Sequence, residues 1–454
     1  LKEKQKDGAS LSNAEREEFE KLNNELSDAN RAFNLFLGRI ETELNGSGRD
    51  VVRELKESGR KSDVERWGAG TVELDTFVLP NRYRVILTTP YSRVDRKYDI
   101  SAADLNRKIM TFRRTLMDPS VDPRPQAREL YDILIKPVEK DLEGANAKTL
   151  IWELDGALRY LPLPALYDGK QYMVERYQQA VITLASSTRL SERFRGEWRG
   201  LGLGVSAQWG TLPALPAVVG ELESIIHDES PPCAPSPTKV GVVGVLPGRC
   251  LLDKDFTAQS FADALGRNFN FIHIASHFSF SPGGAERSFL LLGDGNRLTL
   301  QTIDADAAKY DLNGVELLTL SACNTAIEGG DAGAEASGSE VESFGVIAQR
   351  RGAKAVIATL WEVGDDSTRA LMREFYRILG TTPGIAKAEA LRRAQLALLN
   401  GDVQAKAADV SKPRADLVGL GRLKSTENSF QYDSKRPYAH PYYWAPFLLI
   451  GNWQ

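Results

Sequence analysis

At 454 residues, 42% hydrophobic and 26% charged, the chain carries apolar material for about three globular domains, which excludes the disordered, collagen-like and fibrous classes. Its 57 basic and 61 acidic side chains leave a formal net charge of -4, so bulk charge draws it to neither nucleic acid nor anionic lipid, and neither is an expected partner. No stretch approaches the roughly 18 uncharged apolar residues of a membrane span.

The start, LKEKQKDGAS, has no initiator Met and no apolar signal-peptide core, and reads as the interior of a longer protein. From Phe19 the apolar positions Phe19, Leu22, Leu26, Ala29, Phe33, Phe36, Ile40 and Leu44 advance by threes and fours, with Ser12 available as N-cap. The spacing predicts one long amphipathic helix over Ser12–Leu44. Leu1–Lys6 reads as the end of an earlier helix and Asp7-Gly8 as the turn of a hairpin. Asn45-Gly46-Ser47 fits a glycosylation sequon, a pattern common by chance.

Thr71–Leu79, Arg84–Thr88 and Lys97–Ile100 read as β segments followed by a helix over Ala102–Leu116, and Pro119, Pro123 and Pro125 end that unit. Helix Ala127–Leu142 then leads to strand Lys148–Leu154, and helix Val218–Ile226 precedes a Pro- and Ser-rich linker, Ser230–Thr238. Beyond Phe256, helices alternate with strands Asn270–Ala275, Val315–Ser321 and Ala355–Thr359, with helices near Leu300–Ala308, Val341–Gln349 and Ser367–Leu379. Gly401–Lys435 is a polar insertion before a last apolar strand, Tyr443–Ile450. Helix–strand alternation with Ile-, Val- and Leu-rich strands predicts an α/β fold with a mostly parallel sheet covered on both faces. Three domains are expected: a helical region over 1–59, a small β-rich unit with a helix over 60–125, and an α/β domain over 126–454.

In such sheets ligands bind beyond the carboxyl ends of the strands. The strand Phe271-Ile272-His273-Ile274-Ala275-Ser276-His277 ends at His277, and Leu317-Leu318-Thr319-Leu320-Ser321-Ala322-Cys323 ends at Cys323. If these strands are neighbours, a thiol able to attack a carbonyl and an imidazole able to move protons share one edge. His273 and His277, four apart, also allow a metal reading, but His227, His440 and the cysteines lack zinc-like spacing. His273 reads more simply as a satisfied core histidine, and no metal or cofactor is expected. No Walker loop, complete three-glycine dinucleotide fingerprint or Gly-x-Ser-x-Gly elbow is present. Three cysteines, Cys233, Cys250 and Cys323, are a sparse and odd set, which argues against a disulfide framework and for a reducing, cytoplasmic compartment. Cys233 and Cys250 have no histidine near them in sequence and are not candidate nucleophiles. After Cys323, the Gly-, Ala-, Ser- and Glu-rich stretch Ile327–Glu340 suits either a substrate clamp or a solvent loop. In Leu360-Trp361-Glu362-Val363-Gly364-Asp365-Asp366-Ser367-Thr368, Asp366 or Ser367 serves as a helix N-cap, leaving Asp365 for the same cleft.

Together, His-Ile-Ala-Ser-His277, Leu-Ser-Ala-Cys323-Asn-Thr-Ala, Leu-Trp361-x-Val-x-Asp365 and His440-Pro-Tyr-Tyr-Trp444-Ala-Pro-Phe resemble the CHAT family of caspase-like cysteine proteases. These are relatives of separases, often fused to tetratricopeptide repeats. Asp155-Gly-Ala-Leu-Arg-Tyr-Leu-Pro-Leu-Pro-Ala-Leu and Ser288-Phe-Leu-Leu-Leu-Gly-Asp extend the likeness over about Ala127 to Trp453. The resemblance implies a caspase-like three-layer sandwich preceded by a helical stub of a repeat region, with Cys323 as nucleophile and His277 as general acid-base. It implies an oxyanion held by the backbone N–H groups of Cys323 and Phe278, although many relatives have Gly where Phe278 stands. An acidic side chain after the Trp-x-Val segment implies cleavage after a basic residue, with Asp365 lining the pocket and Glu362 and Asp366 as alternatives. The expected activity is a cysteine endopeptidase acting on a protein substrate, controlled by an upstream repeat region or an activator protein that the helix Ser12–Leu44 helps to couple. Some family members act in bacterial defence. A non-catalytic interaction scaffold retaining the fold is the main alternative and a metal-dependent hydrolase the third; the intact His277 and Cys323 argue against the scaffold.

Overall fold

The computed structural model describes residues 67–183, 186, 190, 192–228, 244–279, 286–321, 323–324, 339–361, 363, 365–403 and 429–454. The expected helix Ser12–Leu44, the Ser230–Thr238 linker, Cys233, nearly all of Ile327–Glu340, Glu362 and most of the Gly401–Lys435 insertion lie outside them. The chain divides into two units, Leu1–Ala69 with Thr88–Val94, and Gly70–Leu87 with Asp95–Gln454. Within the first, Thr89 and Ser92 close a turn through a backbone bond of 2.8 Å and a hydroxyl contact of 2.9 Å.

The second unit opens with β1 (Thr71–Leu79), β2 (Arg82–Thr88) and β3 (Arg93–Tyr98), the last two sharing end residues with the first unit. Helix α1 (Ala102–Leu116) follows, N-capped by Ser101, whose Oγ accepts the Asp104 N–H at 3.0 Å. The single helix expected over Ala127–Leu142 is instead three pieces. They are α2 (Arg124–Leu134), a 3-10 turn (Lys136–Val138) and α3 (Glu139–Gly144). Pro137 breaks the run because it lacks an N–H and its ring clashes with the preceding turn, whereas Pro125 fits the first turn of α2 and lets it start early.

The chain continues through β4 (Thr149–Glu153), α4 (Met173–Arg176), β5 (Gln178–Val181), β6 (Gly200–Gly204), α5 (Ala217–Ile225), β7 (Ile226–Asp228), β8 (Leu246–Leu252) and α6 (Ala258–Leu265). Next come β9 (Phe271–Ala275), β10 (Phe278–Ser279), β11 (Phe289–Leu291), β12 (Arg297–Thr299) and α7 (Leu300–Ala305). The last elements are β13 (Leu317–Leu320), β14 (Cys323–Asn324), α8 (Ser339–Arg350), β15 (Ala355–Thr359), α9 (Asp365–Thr381), α10 (Lys387–Asn400) and β16 (Phe447–Gly451). The final strand starts four residues later than its apolar pattern suggests, because Pro441–Tyr443 forms a 3-10 turn and Pro446 cannot donate to a ladder.

One twelve-stranded sheet runs β3-β2-β1-β4-β5-β16-β15-β13-β9-β6-β8-β7. The six strands from β15 to β7 are mutually parallel, as expected. β16 lies antiparallel to β15 and parallel to β5, so the sheet reverses direction there: the six-strand half presents its carboxyl ends to one edge, and β16, β5, β4 and β1 present theirs to the opposite edge. Helices cover both faces. Gly345 of α8 packs on Ile450, in register with Val356, while Tyr376 of α9 packs on Phe271 and His273 of the opposite face. The fold is therefore a three-layer α/β sandwich around a mostly parallel sheet. Among the described residues, no helix is long and apolar enough to cross a membrane.

β6, Gly-Leu-Gly-Leu-Gly, has little intrinsic strand propensity. Its glycines serve close approach. A Cβ at Gly200 would sit 2.0 Å from the Phe271 ring, and one at Gly204 would sit 2.6 Å from Val218 and 2.8 Å from Leu222. The bare face of β6 thus lets α5 sink against the sheet beside β9.

Candidate active site

β9 and β13 are neighbours in register, His273 opposite Thr319 and Ile274 opposite Leu320. Each strand continues past the carboxyl edge of the large sheet into a second, four-stranded sheet ordered β12-β11-β10-β14. There β10 and β14 pair in parallel, with Phe278 opposite Cys323. Adjacent strands lie about 4.8 Å apart, so the backbone of Cys323 stands across from the residue that follows His277. The turn out of β9 is held by the Ser276 hydroxyl donating to Leu291 O at 2.7 Å and Leu291 N–H donating to His277 O at 2.9 Å. On the other strand, Ser321 N–H donates to Ile274 O at 2.8 Å.

The His277 imidazole is partly exposed and bonds Pro213 O through Nε2 at 2.8 Å. A carbonyl can only accept, so Nε2 carries the proton and Nδ1 the lone pair of the neutral ring. Pro213 belongs to the β6–α5 loop. Asp253 anchors that loop, accepting Ser206 N–H and Ser206 Oγ–H at 2.7 Å each. Trp209 and Leu212 exchange backbone bonds of 3.1 and 2.9 Å, and the Trp209 ring lies on Gly295, where a Cβ would come within 2.5 Å of it. Sequence reasoning missed Pro213, because a backbone carbonyl leaves no side-chain signature.

Beneath this edge lies a buried polar chain. His273 Nε2 contacts Glu221 Oε1 at 2.9 Å, and Nδ1 lies 3.2 Å from the Tyr376 hydroxyl. Thr319 Oγ1 approaches the same hydroxyl at 2.8 Å, and Ser321 Oγ donates to Glu221 Oε1. Burial pushes the Tyr376 phenol up, so its proton stays available for donation. His273 is the expected core histidine, with two partners of its own. It and His277 turn to separate partners rather than to one point, so the two-histidine metal reading gains nothing from the geometry. Among the described residues, Glu73, Asp75 and Glu153 are the one trio of possible ligands, their oxygens within 4.8 Å of one another. They sit on β1 and β4, in the other half of the sheet.

Cys250 lies on β8 opposite Gly202 and is disulfide-bonded, a bond that the sparse, odd cysteine set does not anticipate. It offers no free thiol. Asp365 opens α9, while Asp366 is engaged by Arg369 Nη2 at 2.9 Å. The buried Trp361 donates its indole N–H to Tyr442 O at 3.2 Å and lies under the Arg113 guanidinium, itself hydrogen-bonded to Leu360 O. This Trp therefore shapes the turn after β15. Trp361→Ala is expected to cost about 3–5 kcal/mol of stability, through an unfilled cavity and lost bonds, as read from urea unfolding midpoints.

His440, in the closing motif, is structural as well. Its Nε2 contacts Val121 O at 2.9 Å and its Nδ1 accepts Tyr442 N–H at 3.0 Å. Burial pushes its pKa down to about 4, against the smaller opposing pull of the Val121 carbonyl and Asp122. The unfolded chain therefore takes this proton first. The stability from neutral His440 is complete above about pH 6.5 and declines as pH falls toward 4. Acidifying from pH 7 to 5 is expected to remove about 2 kcal/mol through this group. Unfolding midpoints should show that slope in the parent chain and lack it in His440→Gln.

The sheet, its two helical layers and its loaded carboxyl edge define an α/β protein whose candidate site lies at paired strand ends. The family model for the CHAT domain matches residues 124–452, more than half of the chain, and the protein belongs to the CHAT domain family. No curated protein matches it in sequence. Solved structures similar to it include separase of Saccharomyces cerevisiae in complex with securin, at 8% identity and TM-score 0.48, covering 92% of this chain. Another is gingipain R, an Arg-specific cysteine proteinase, at 9% identity and TM-score 0.37, covering 72% of this chain and 67% of that one. This chain spans 33% of the separase chain's length.

Proposed function

We propose that the protein is a cysteine endopeptidase in which Cys323 is the nucleophile and His277 the general acid-base. The observation that carries the reading is the β10–β14 register, which sets Cys323 opposite the residue after His277 at the carboxyl edge of a parallel sheet. His277 Nδ1 takes the Cys323 proton, while Pro213 O holds Nε2–H and orients the ring. The thiolate sulfur attacks the scissile carbonyl carbon. The C–N bond breaks as the leaving amine takes the proton from His277, which leaves a thioester on Cys323. Water, giving a proton to His277, attacks that thioester; the peptide carboxylate departs and the thiol is restored. The backbone amide of Cys323 is the donor assigned to the oxyanion.

The substrate is a protein cut after a basic residue, with Asp365 lining the pocket that receives it. Activity is governed by the upstream region or by a protein activator acting through it. The test is a peptide-library digest with cut sites mapped by mass spectrometry. Cuts clustered after Arg and Lys support the reading. No cutting by the full-length activated protein, or cutting that persists in Cys323→Ala, contradicts it.

A further inference from the structure

We propose that Glu221 is a positioning residue for the reactive pair, one buried carboxylate on the helix after the imidazole-orienting loop that ties together the two strands bearing the reacting groups. The proposal rests on the cysteine-peptidase reading above. Its basis is a convergence of elements at one oxygen. Glu221 sits on α5, which begins four residues after Pro213, the residue whose carbonyl holds His277 Nε2. Its Oε1 accepts from His273, four residues before His277 on β9. The same oxygen accepts from Ser321, two residues before Cys323 on the strand leaving β13. The helix that follows the imidazole-orienting loop, the strand that carries the imidazole and the strand that leads to the thiol therefore meet at Glu221 Oε1.

One proton arrangement satisfies each atom of the chain. Thr319 Oγ1–H donates to Tyr376 OH, Tyr376 O–H donates to His273 Nδ1, and His273 Nε2–H and Ser321 Oγ–H both donate to Glu221 Oε1. His273, Glu221, Thr319, Ser321 and Tyr376 are all buried. A hydrogen-bond chain in such a setting is strong when complete and costly when cut, so it fixes register where apolar packing alone would allow sliding. The glycines of β6 fit this role. Val218 and Leu222, which flank Glu221 on α5, occupy the space a Cβ at Gly204 would need, and that closeness lets Glu221 reach β9. Core packing alone would need an apolar residue at 221, 273 and 321, not a carboxylate, an imidazole and a hydroxyl.

The test reads the thiol itself and needs no substrate. In the full chain, the rate of Cys323 alkylation by iodoacetamide is followed from pH 5 to 9 by mass spectrometry of the peptide containing it. The parent, His277→Ala, Glu221→Gln, Ser321→Ala, Tyr376→Phe and the control Glu223→Gln on the same helix are compared. A thiolate formed by a nearby imidazole is alkylated at lower pH than an isolated thiol. The parent should show that low-pH limb and His277→Ala should lose it. Glu221→Gln should move the profile toward that of His277→Ala and slow alkylation at pH 7 about tenfold, with cooperative unfolding retained. Ser321→Ala and Tyr376→Phe should move it the same way by less, and Glu223→Gln should match the parent.

A parent-like profile in a folded Glu221→Gln chain would overturn the positioning role and leave the catalytic pair standing. If Glu221→Gln does not fold, Tyr376→Phe decides, and a parent-like profile there overturns the proposal. A parent profile identical to that of His277→Ala would overturn the catalytic pair, and with it this role.

Discussion

Cys323→Ala and His277→Ala are each expected to abolish peptide cleavage. In the proposed mechanism the sulfur supplies the nucleophile and the imidazole both deprotonates it and protonates the leaving amine, so loss of either would stop the same step. Groups that act as a unit are strongly non-additive. The double variant should therefore be no worse than either single one, with each loss on the order of a thousandfold or more. Neither change should unfold the chain. The one side-chain bond His277 makes among the described residues is to Pro213 O, at a partly exposed site, so its removal costs about 1 kcal/mol. Activity assays paired with unfolding curves separate this outcome from a general loss of structure. A scaffold that merely keeps the fold would show no dependence on either residue.

The second large effect concerns the residue before the cut. A carboxylate in a partly desolvated pocket binds a guanidinium through two charge-assisted hydrogen bonds, a geometry an ammonium cannot reproduce. With Asp365 in that role, Asp365→Asn is expected to lower kcat/KM for peptides with Arg at this position by about 100-fold or more. A neutral isosteric side chain there should lose far less, because recognition built on a polar partner penalises its absence most. Asp366→Asn should stay within about threefold, since Asp366 already holds Arg369 on its own helix. Matched peptides carrying Arg, Lys and norleucine before the scissile bond measure all three expectations. Equal losses for Arg and norleucine peptides in Asp365→Asn would remove Asp365 from the pocket.

Much of this architecture is legible in the chain, for identifiable reasons. The runs ending at Ala275, Leu320 and Thr359 are short, apolar and bounded by polar residues, so their existence and their polar ends can be read directly. Their lateral order cannot, because pairing depends on contacts remote in sequence. β6 escapes notice since its glycines lack the side chains that periodicity relies on; their purpose appears only once Phe271 and Leu222 stand against them. The reversal at β16 is hidden for a similar reason, as an apolar strand reads the same in either direction.

Within the candidate site, His277 and Cys323 stand out because polar residues at strand ends are visible in the sequence. The Pro213 carbonyl and the sharing of Glu221 between His273 and Ser321 are not, since one involves no side chain and the other joins residues up to 100 positions apart. Motif residues also divide by role. Trp361 and His440 lie in segments that carry the family likeness, yet their partners are backbone carbonyls and amides that shape turns.

Covalent capture tests the proposed Cys323–His277 pair directly. The protein is treated with a peptidyl-arginine chloromethyl ketone, whose carbonyl and side chain imitate the acyl half of the proposed substrate, and the modified residue is located by mass spectrometry. A single adduct on Cys323 is expected, lost in His277→Ala and suppressed by competing Arg peptides. Reaction at another residue, or equal labelling of Cys323 with and without His277, would contradict the pair.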